Sequence, residues 1–324
     1  IFINFQSEFS ETMKHLNTIA SKPDIIHVFG KNNVTAAAVN YCLKKNIPLL
    51  LELCNKMEHP FQNIPFPAKY FIKKNFPEKY IIVCISKLLE NVCLQNGIPK
   101  DRTWCRPNPV DEKKFAPVCE SRKFDLRKKL SGFSPEDKLI TAITKFRPKK
   151  NQIFLVEVMK YLPDEYKLFM KGPLETTGTK VSEEKPYFDK LVAEVQKNGL
   201  DKRIKIETGF CQNVEEYYQM SDVYAMPSLH EGLGTPILEA VACAIPVVTT
   251  DLKGVTDIWI KNEHNGFISE LDPQKYSKFI IEAAKIPHSV MLERSKEIIQ
   301  KTGTNAIDEA YWQIIKKLTS SDSD

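Results

Sequence analysis

Glu231 and Glu239 bracket a glycine-rich turn in the segment Pro227-Ser-Leu-His-Glu231-Gly-Leu-Gly-Thr-Pro236-Ile-Leu-Glu239-Ala. A β-rich run at 223–226 precedes it, a helical pattern at 237–243 follows, and a buried strand is expected at 245–250. Strand, glycine loop and helix N-terminus together make a phosphate site. The first amides of a helix have no intrahelical partner, and the helix dipole favours an anion there. Two acidic side chains beside such a site suit a ligand that carries hydroxyl groups next to its phosphates.

Each residue type has a reason. Gly232 and Gly234 leave no side chain between the amides and a ligand, with Leu233 between them. Thr235 followed by Pro236 fits an N-cap and a first helical position. On that assignment Glu239 falls one residue past the capping-box position, so capping does not use it up. Taken alone, two glutamates at this spacing read more readily as a solvated loop glutamate and one that satisfies nearby amides.

They do not stand alone. Asp24-Ile-Ile-His-Val28, Ile82-Val-Cys-Ile-Ser86 with Gly97-Ile-Pro99, Pro107-Asn-Pro-Val-Asp111, Lys150-Asn151, Asp222-Val223, Pro246-Val-Val248 and Gly266-Phe-Ile268 surround the segment in order. Together these motifs resemble the family 4 glycosyltransferases, retaining enzymes of the GT-B fold. The resemblance implies an α/β protein of two Rossmann-like domains with parallel sheets facing across a cleft. It implies sugar transfer from a nucleotide-diphosphate sugar to a glycan, lipid-linked or small-molecule acceptor, without metal or other cofactor. The amides of Gly232, Leu233, Gly234 and Thr235 would hold the diphosphate, and Glu239 the ribose. Glu231 would orient the sugar, while Lys150 and Lys145 would neutralise the leaving group. Cys54, Asn55 and His230 are candidates for sugar or acceptor contacts.

Two departures bear on activity. Where the family carries Gly-Arg-Leu, this chain has Thr144-Lys145-Phe146; a lysine keeps the charge but loses the planar fork of arginine. Where the family often has a histidine after the strand at 48–53, this chain has Cys54, which cannot act as a charged imidazole. Two alternatives therefore stay open: a non-catalytic sugar-nucleotide-binding partner of an active homologue, or a sugar-nucleotide epimerase of the same architecture.

These residues need elements to place them. Strand-like runs at 24–29, 47–53, 80–85, 139–144, 166–170 and 204–207 alternate with helical patterns at 34–45, 152–162, 187–198 and 214–220. That alternation argues for parallel sheets covered on both faces. The expected division is an N-terminal domain at 1–113, a linker at 114–135 and a C-terminal domain at 136–302. A helix and polar tail at 303–324 is expected to pack back towards the N-terminal domain. The loop 172–185 is expected to be exposed and mobile. The first glycine is Gly30, whereas the resemblance implies a glycine-rich loop before Asp24, so the N-terminal domain is expected to be incomplete.

Composition narrows the class. The 324 residues suffice for two domains, and 42% hydrophobic with 27% charged content is ordinary for a soluble protein. A net charge of +5 with no accompanying motif gives no case for nucleic acid. Eight scattered cysteines without a C-x-x-C pair, no run of about 18 apolar residues and no signal-peptide pattern favour a reduced, cytoplasmic setting. The stretch 66–76 interleaves aromatics and lysines. It fits an ordinary helix with lysines in water better than peripheral contact with an anionic membrane, which would suit a lipid-linked acceptor.

Overall fold

The computed structural model describes residues 2–30, 33–54, 79–175 and 181–320, so the Asn55 and 66–76 expectations lie outside the described residues. The chain forms two units, one of residues 1–108 with 305–324 and one of residues 109–304.

The first unit begins with α1 (Phe2–Asn17), β1 (Ile26–Phe29), α2 (Asn33–Lys45) and β2 (Leu49–Leu53). It continues through β3 (Tyr80–Cys84), α3 (Lys87–Gln95) and β4 (Thr103–Cys105). The four strands pair in parallel in the order β1-β2-β3-β4. Helix α2 carries the strong helix former alanine at 36–38, places Lys44 and Lys45 in its last turn, and stops at Asn46 with φ 49°. Ser86 caps α3, accepting from the Leu89 amide at 3.4 Å. Every residue of β2 is buried, as a parallel strand covered on both faces requires.

The second unit runs through α4 (Glu120–Leu130), β5 (Lys138–Ile143), α5 (Gln152–Met159), β6 (Tyr166–Gly172), α6 (Val181–Lys197) and β7 (Ile204–Thr208). Next come α7 (Val214–Gln219), β8 (Val223–Met226), α8 (Thr235–Ala242), β9 (Val247–Thr250), β10 (Gly266–Ser269), α9 (Pro273–Ala283) and α10 (His288–Thr302). Its six strands are all parallel, in the order β10-β9-β8-β5-β6-β7. Counted from β5 this is the doubly wound order 3-2-1-4-5-6, whose strand direction of growth reverses between β5 and β8. Ile140, Leu155, Met159, Leu168, Leu191 and Tyr276 belong to one buried cluster beneath the helices. Full burial of each aliphatic side chain contributes roughly 1.5–3 kcal/mol.

The last helix, α11 (Thr304–Thr319), returns to the first unit. Tyr311, Ile314, Ile315 and buried Leu318 recur at helical spacing and pack on Leu50, Ile81 and Val83.

Two sequence expectations give way. The division falls after Asn108, not at 113, and 114–135 is no separate linker: it holds α4, which belongs to the second unit. Arg127 explains why. It is buried to 1% exposure and donates to the carbonyls of Met220, Pro135 and Asp137 and to Asp222 Oδ2. A polar, charged stretch that reads as solvated thus carries a charged side chain that the fold encloses. The loop 172–185 is also shorter than expected. Gly172 ends β6 and α6 already begins at Val181, with Pro186 inside it. The proline argues for a later start, but Glu183 and Glu184 in the first turn favour the helix dipole.

Candidate functional site

Ligands of open α/β sheets bind beyond the carboxyl ends of strands where the order reverses. In the second unit those ends belong to β5 and β8, which pair through Ile140 with Val223 and Thr141 with Tyr224. Beyond β5 the chain makes a tight 3-10 turn, Pro148–Lys150, and passes through Asn151 at φ 56° into α5. Beyond β8 it makes the glycine loop. The Leu229 amide donates to the Lys149 carbonyl at 2.8 Å, joining the two loops. This backbone bond sets the side chains that follow it.

Lys150 Nζ lies 2.5 Å from Glu231 Oε1, and both side chains are largely buried, at 14% and 9% exposure. Ser228 Oγ donates to the same oxygen at 2.7 Å, while Thr250 Oγ1 holds the Ser228 carbonyl at 2.5 Å. Glu231 is therefore fixed from below by β9 and from the side by the β5 loop. A lysine ammonium has three N–H donors, so the pairing leaves capacity for an anion.

The glycine loop departs from its expected cap. Gly234, at φ 75° and ψ 41°, is the N-cap, and Thr235 and Pro236 are the first two helical residues. The threonine side chain makes Thr235 the expected cap, but the turn needs a left-handed residue, which glycine adopts at no steric cost. A Cβ at Gly234 would also come within 3.2 Å of Ile237 Cδ1. Among the described residues no protein oxygen accepts from the amides of Gly232, Leu233 or Gly234, whereas Thr235 is engaged. His230 beside them is exposed.

Glu239 sits on α8 and receives the Tyr218 hydroxyl on Oε2 at 2.7 Å. Burial raises its pKa, with Glu215 adding to the rise, and the Tyr218 bond opposes this. Tyr224 on β8 feels the charge of both glutamates. Burial pushes its pKa up, and the carboxylates of Glu239 and Glu231 push it the same way, so both charges lie near one hydroxyl.

The structure does not bring Lys145 into this group. Its ammonium pairs with Glu175 Oε1 at 3.1 Å, which also accepts from Arg147 at 2.9 Å. Arg147 further pairs with Glu184, a fully buried carboxylate on α6 whose other oxygen accepts from the Glu175 amide at 3.1 Å. A neighbouring acid thus claims the lysine that sequence spacing places beside Lys150.

In the first unit, half-buried Cys54 follows β2, with Sγ 3.8 Å from Glu52 Oε1. Burial and the Glu52 carboxylate both push the thiol's pKa up, so it stays neutral. Glu52 is itself buried. Burial would raise its pKa, but bonds and charge from His27 and Arg106, with the Tyr311 hydroxyl, hold it below the usual range. His27 Nε2 lies 3.1 Å from Glu52 Oε2 and Arg106 donates to that oxygen at 2.5 Å.

Sequence reasoning missed Ser228, Tyr218, Glu175 and Glu184. Ser228 stands inside the quoted motif, next to Pro227. Tyr218 lies on an expected helix, but nothing in its spacing shows that it turns towards α8.

Comparisons with known proteins bear on the family and the fold. The family model described as "Glycosyl transferases group 1" matches residues 123–302. The chain is 27% identical over 197 residues to the Escherichia coli UDP-Gal:alpha-D-GlcNAc-diphosphoundecaprenol alpha-1,3-galactosyltransferase, covering 59% of this chain and 47% of that protein. It is 25% identical over 310 residues to the Arabidopsis thaliana sulfoquinovosyl transferase SQD2, covering 90% of this chain and 54% of that protein. The chain thus spans about half the length of these curated relatives. Among solved structures, Anabaena Alr3699/HepE in complex with UDP superposes with a TM-score of 0.80 at 17% identity, over 95% of this chain and 82% of that one. The same protein in complex with UDP-glucose gives a TM-score of 0.77 at 18% identity, over 97% and 82%. These likenesses fix the fold as α/β with two parallel sheets of the GT-B kind.

Proposed function

The chain belongs to the glycosyl transferases of group 1, and from that membership we propose that it transfers a sugar from a nucleoside-diphosphate sugar with retention of configuration. The observation that carries this reading is the Lys150–Glu231 pair standing beside the amides of Gly232 to Gly234, beyond the strands where the sheet order reverses. In this reading the amides of 232–235 receive the diphosphate. Lys150 gives its remaining N–H donors to the departing phosphate and Glu231 aligns the sugar. Glu239 accepts from the ribose hydroxyls. Lys145 serves the outer phosphate only by leaving Glu175.

Charge grows on the leaving phosphate in the transition state, so a fixed cation there lowers the barrier rather than merely tightening binding. The helix N-terminus supplies at most ~2 kcal/mol. A preorganised lysine in a site shielded from water supplies several, which makes Lys150 the larger contributor. The scheme invokes no metal and no further cofactor.

The donor reading draws support from a structural neighbour bound to UDP and UDP-glucose. A lipid-linked acceptor draws support from the E. coli relative, whose name carries a diphosphoundecaprenol-linked sugar; contact with a membrane face would follow from such an acceptor. Among the described residues no helix is long and apolar enough to cross a membrane. His230 and Cys54 are proposed only as sugar or acceptor contacts.

Calorimetric titration with UDP, GDP and ADP tests the reading. One of them should bind without added metal, and Lys150→Ala should weaken it by roughly tenfold or more, as loss of a charged hydrogen bond does. If none of the three binds, the donor site is not where this reading puts it. Cys54, standing where the family often has a histidine, favours a second reading, a binding partner without turnover. Donor binding with no sugar transfer to any acceptor extract would select it.

A further inference from the structure

The Tyr218 hydroxyl reaches Glu239 from a different element, and among the described residues it is the group that donates to that carboxylate. We propose that Tyr218 is a positioning residue, which holds Oε2 of Glu239 so that Oε1 faces the ribose diol of the donor. The inference rests on the reading that Glu239 meets the ribose.

Three observations carry it. Tyr218 is 1% exposed, with its ring edge-on to Tyr224 at 5.2 Å and tilted against Phe115 at 6.1 Å, so its hydroxyl has one fixed position. A phenol supplies a single O–H donor, and this one goes to Oε2. Tyr224, the other phenol beside Glu239, donates to the Ile143 carbonyl at 3.3 Å and does not substitute for it. Glu239 sits five residues after the Gly234 cap, too far along α8 to be held by the amides of the first turn. Without Tyr218 its carboxylate would have no anchor and would sample other rotamers. The titratable groups around it are Glu215 and Tyr218 on α7, Tyr224 on β8 and Cys243 after α8. None of them is a cation.

The opposite arrangement is that Glu239 merely satisfies a buried phenol, which needs a partner in any case. Binding of ribose-modified nucleotides separates the two. Calorimetry is run with the tightest binder of UDP, GDP and ADP and with its 2′,3′-dideoxy form, on the wild type, Tyr218→Phe and Glu239→Gln. Wild type should lose affinity by roughly tenfold when the hydroxyls are removed. Tyr218→Phe should weaken the ribonucleotide by roughly 5–10-fold and the dideoxy form by less than about twofold, because the lost hydrogen bond acts only through the diol. Equal weakening of both forms, or wild-type affinity for both, overturns the positioning role. Equal affinity of the wild type itself for the two forms, or binding of neither, overturns instead the placement of Glu239 at the ribose, and the proposal falls with it.

Discussion

Lys150 and Glu231 are separated by 81 positions in sequence yet meet at 2.5 Å, one from the turn beyond β5 and one from the loop beyond β8. The contact joins the two strands between which the sheet order reverses. The ion pair keeps the lysine in place before any ligand arrives, so ordering it costs little when a diphosphate binds. In its proposed role the lysine supplies charge stabilisation that is strongest in the transition state, and its removal takes that away. Lys150→Ala is expected to lower kcat/KM for transfer by roughly 10²–10³. A loss smaller than about threefold in a steady-state assay would remove Lys150 from the chemistry.

Glu239 gives a different signature. Its proposed ribose contacts are the same in the ground state and the transition state, so Glu239→Ala should raise the donor KM and leave kcat within a few-fold. A collapse of kcat at unchanged KM would assign it to the reacting centre instead.

Its ionisation adds a pH dependence. Burial, reinforced by Glu215, raises the pKa of Glu239. With Glu239 at the ribose as proposed, the ionised carboxylate is the better acceptor for the hydroxyls, so affinity is lost as pH falls through the raised pKa, above the ordinary glutamate range. For folding the sign is reversed. A carboxyl with a raised native pKa favours the protonated folded state, so its contribution is fullest at low pH and is lost as pH rises through that pKa. Donor KM measured from neutral pH downwards should therefore rise in wild type and stay flat in Glu239→Gln. Parallel curves would place the titrating group elsewhere.

Much of this was legible in the sequence because glycine, proline and strand periodicity report the backbone directly. The run 223–226, the glycine loop and the helix after it emerge as β8, loop and α8. Side-chain pairing was legible only in part. The sequence points Lys150 and Glu231 at the same ligand, but their contact with each other depends on sheet order, which no local pattern encodes. Lys145 goes the other way: Glu175, thirty positions on, lies beyond β6, and only the pairing of β5 with β6 shows that the two meet. Arg127 is the clearest limit. Its neighbours Lys128 and Lys129 make the stretch read as solvated, while its partners Met220 and Asp222 lie more than ninety residues away.

Gly172 ends β6 beside the chain leaving β5. A Cβ there would stand 1.9 Å from the Thr144 carbonyl oxygen, a backbone atom that cannot swing aside. Gly172→Ala must push apart the strand end from which the Lys145–Lys150 loop departs. A cost at or above the upper end of the roughly 1–3 kcal/mol range for overpacking is expected, with donor affinity falling alongside stability. Unchanged thermal unfolding would show that β6 can move away freely.

The scheme neutralises phosphate charge with Lys150 and main-chain amides. Transfer rates should accordingly be the same, within about twofold, after exhaustive treatment with EDTA. A loss that added magnesium or manganese restores would mean that a cation shares the charge neutralisation assigned to Lys150.

The second unit is also tied by charge at the opposite strand ends. Asp222, just before β8, accepts from Arg127 at 2.8 Å, from Lys123 at 2.6 Å and from the Leu139 amide at 2.7 Å. Burial alone would raise the Asp222 pKa, but the charges of Lys123 and Arg127 outweigh it and hold the carboxyl below its usual range. A depressed carboxylate contributes stability that is present above the unfolded pKa, near 3.9, and is lost as pH falls through the folded value. Arg127→Met leaves Asp222 short of one cation and the carbonyls of Met220, Pro135 and Asp137 short of a donor. It should destabilise the second unit by about 3–5 kcal/mol at neutral pH. Because Asp222 becomes protonated in acid, the deficit of Asp222→Asn relative to wild type should shrink as pH drops below about 3.9. Urea unfolding of wild type and both variants at several pH values reads this directly, and an Asp222→Asn deficit that does not change with pH would show that the carboxylate's charge is not what holds α4 to β8.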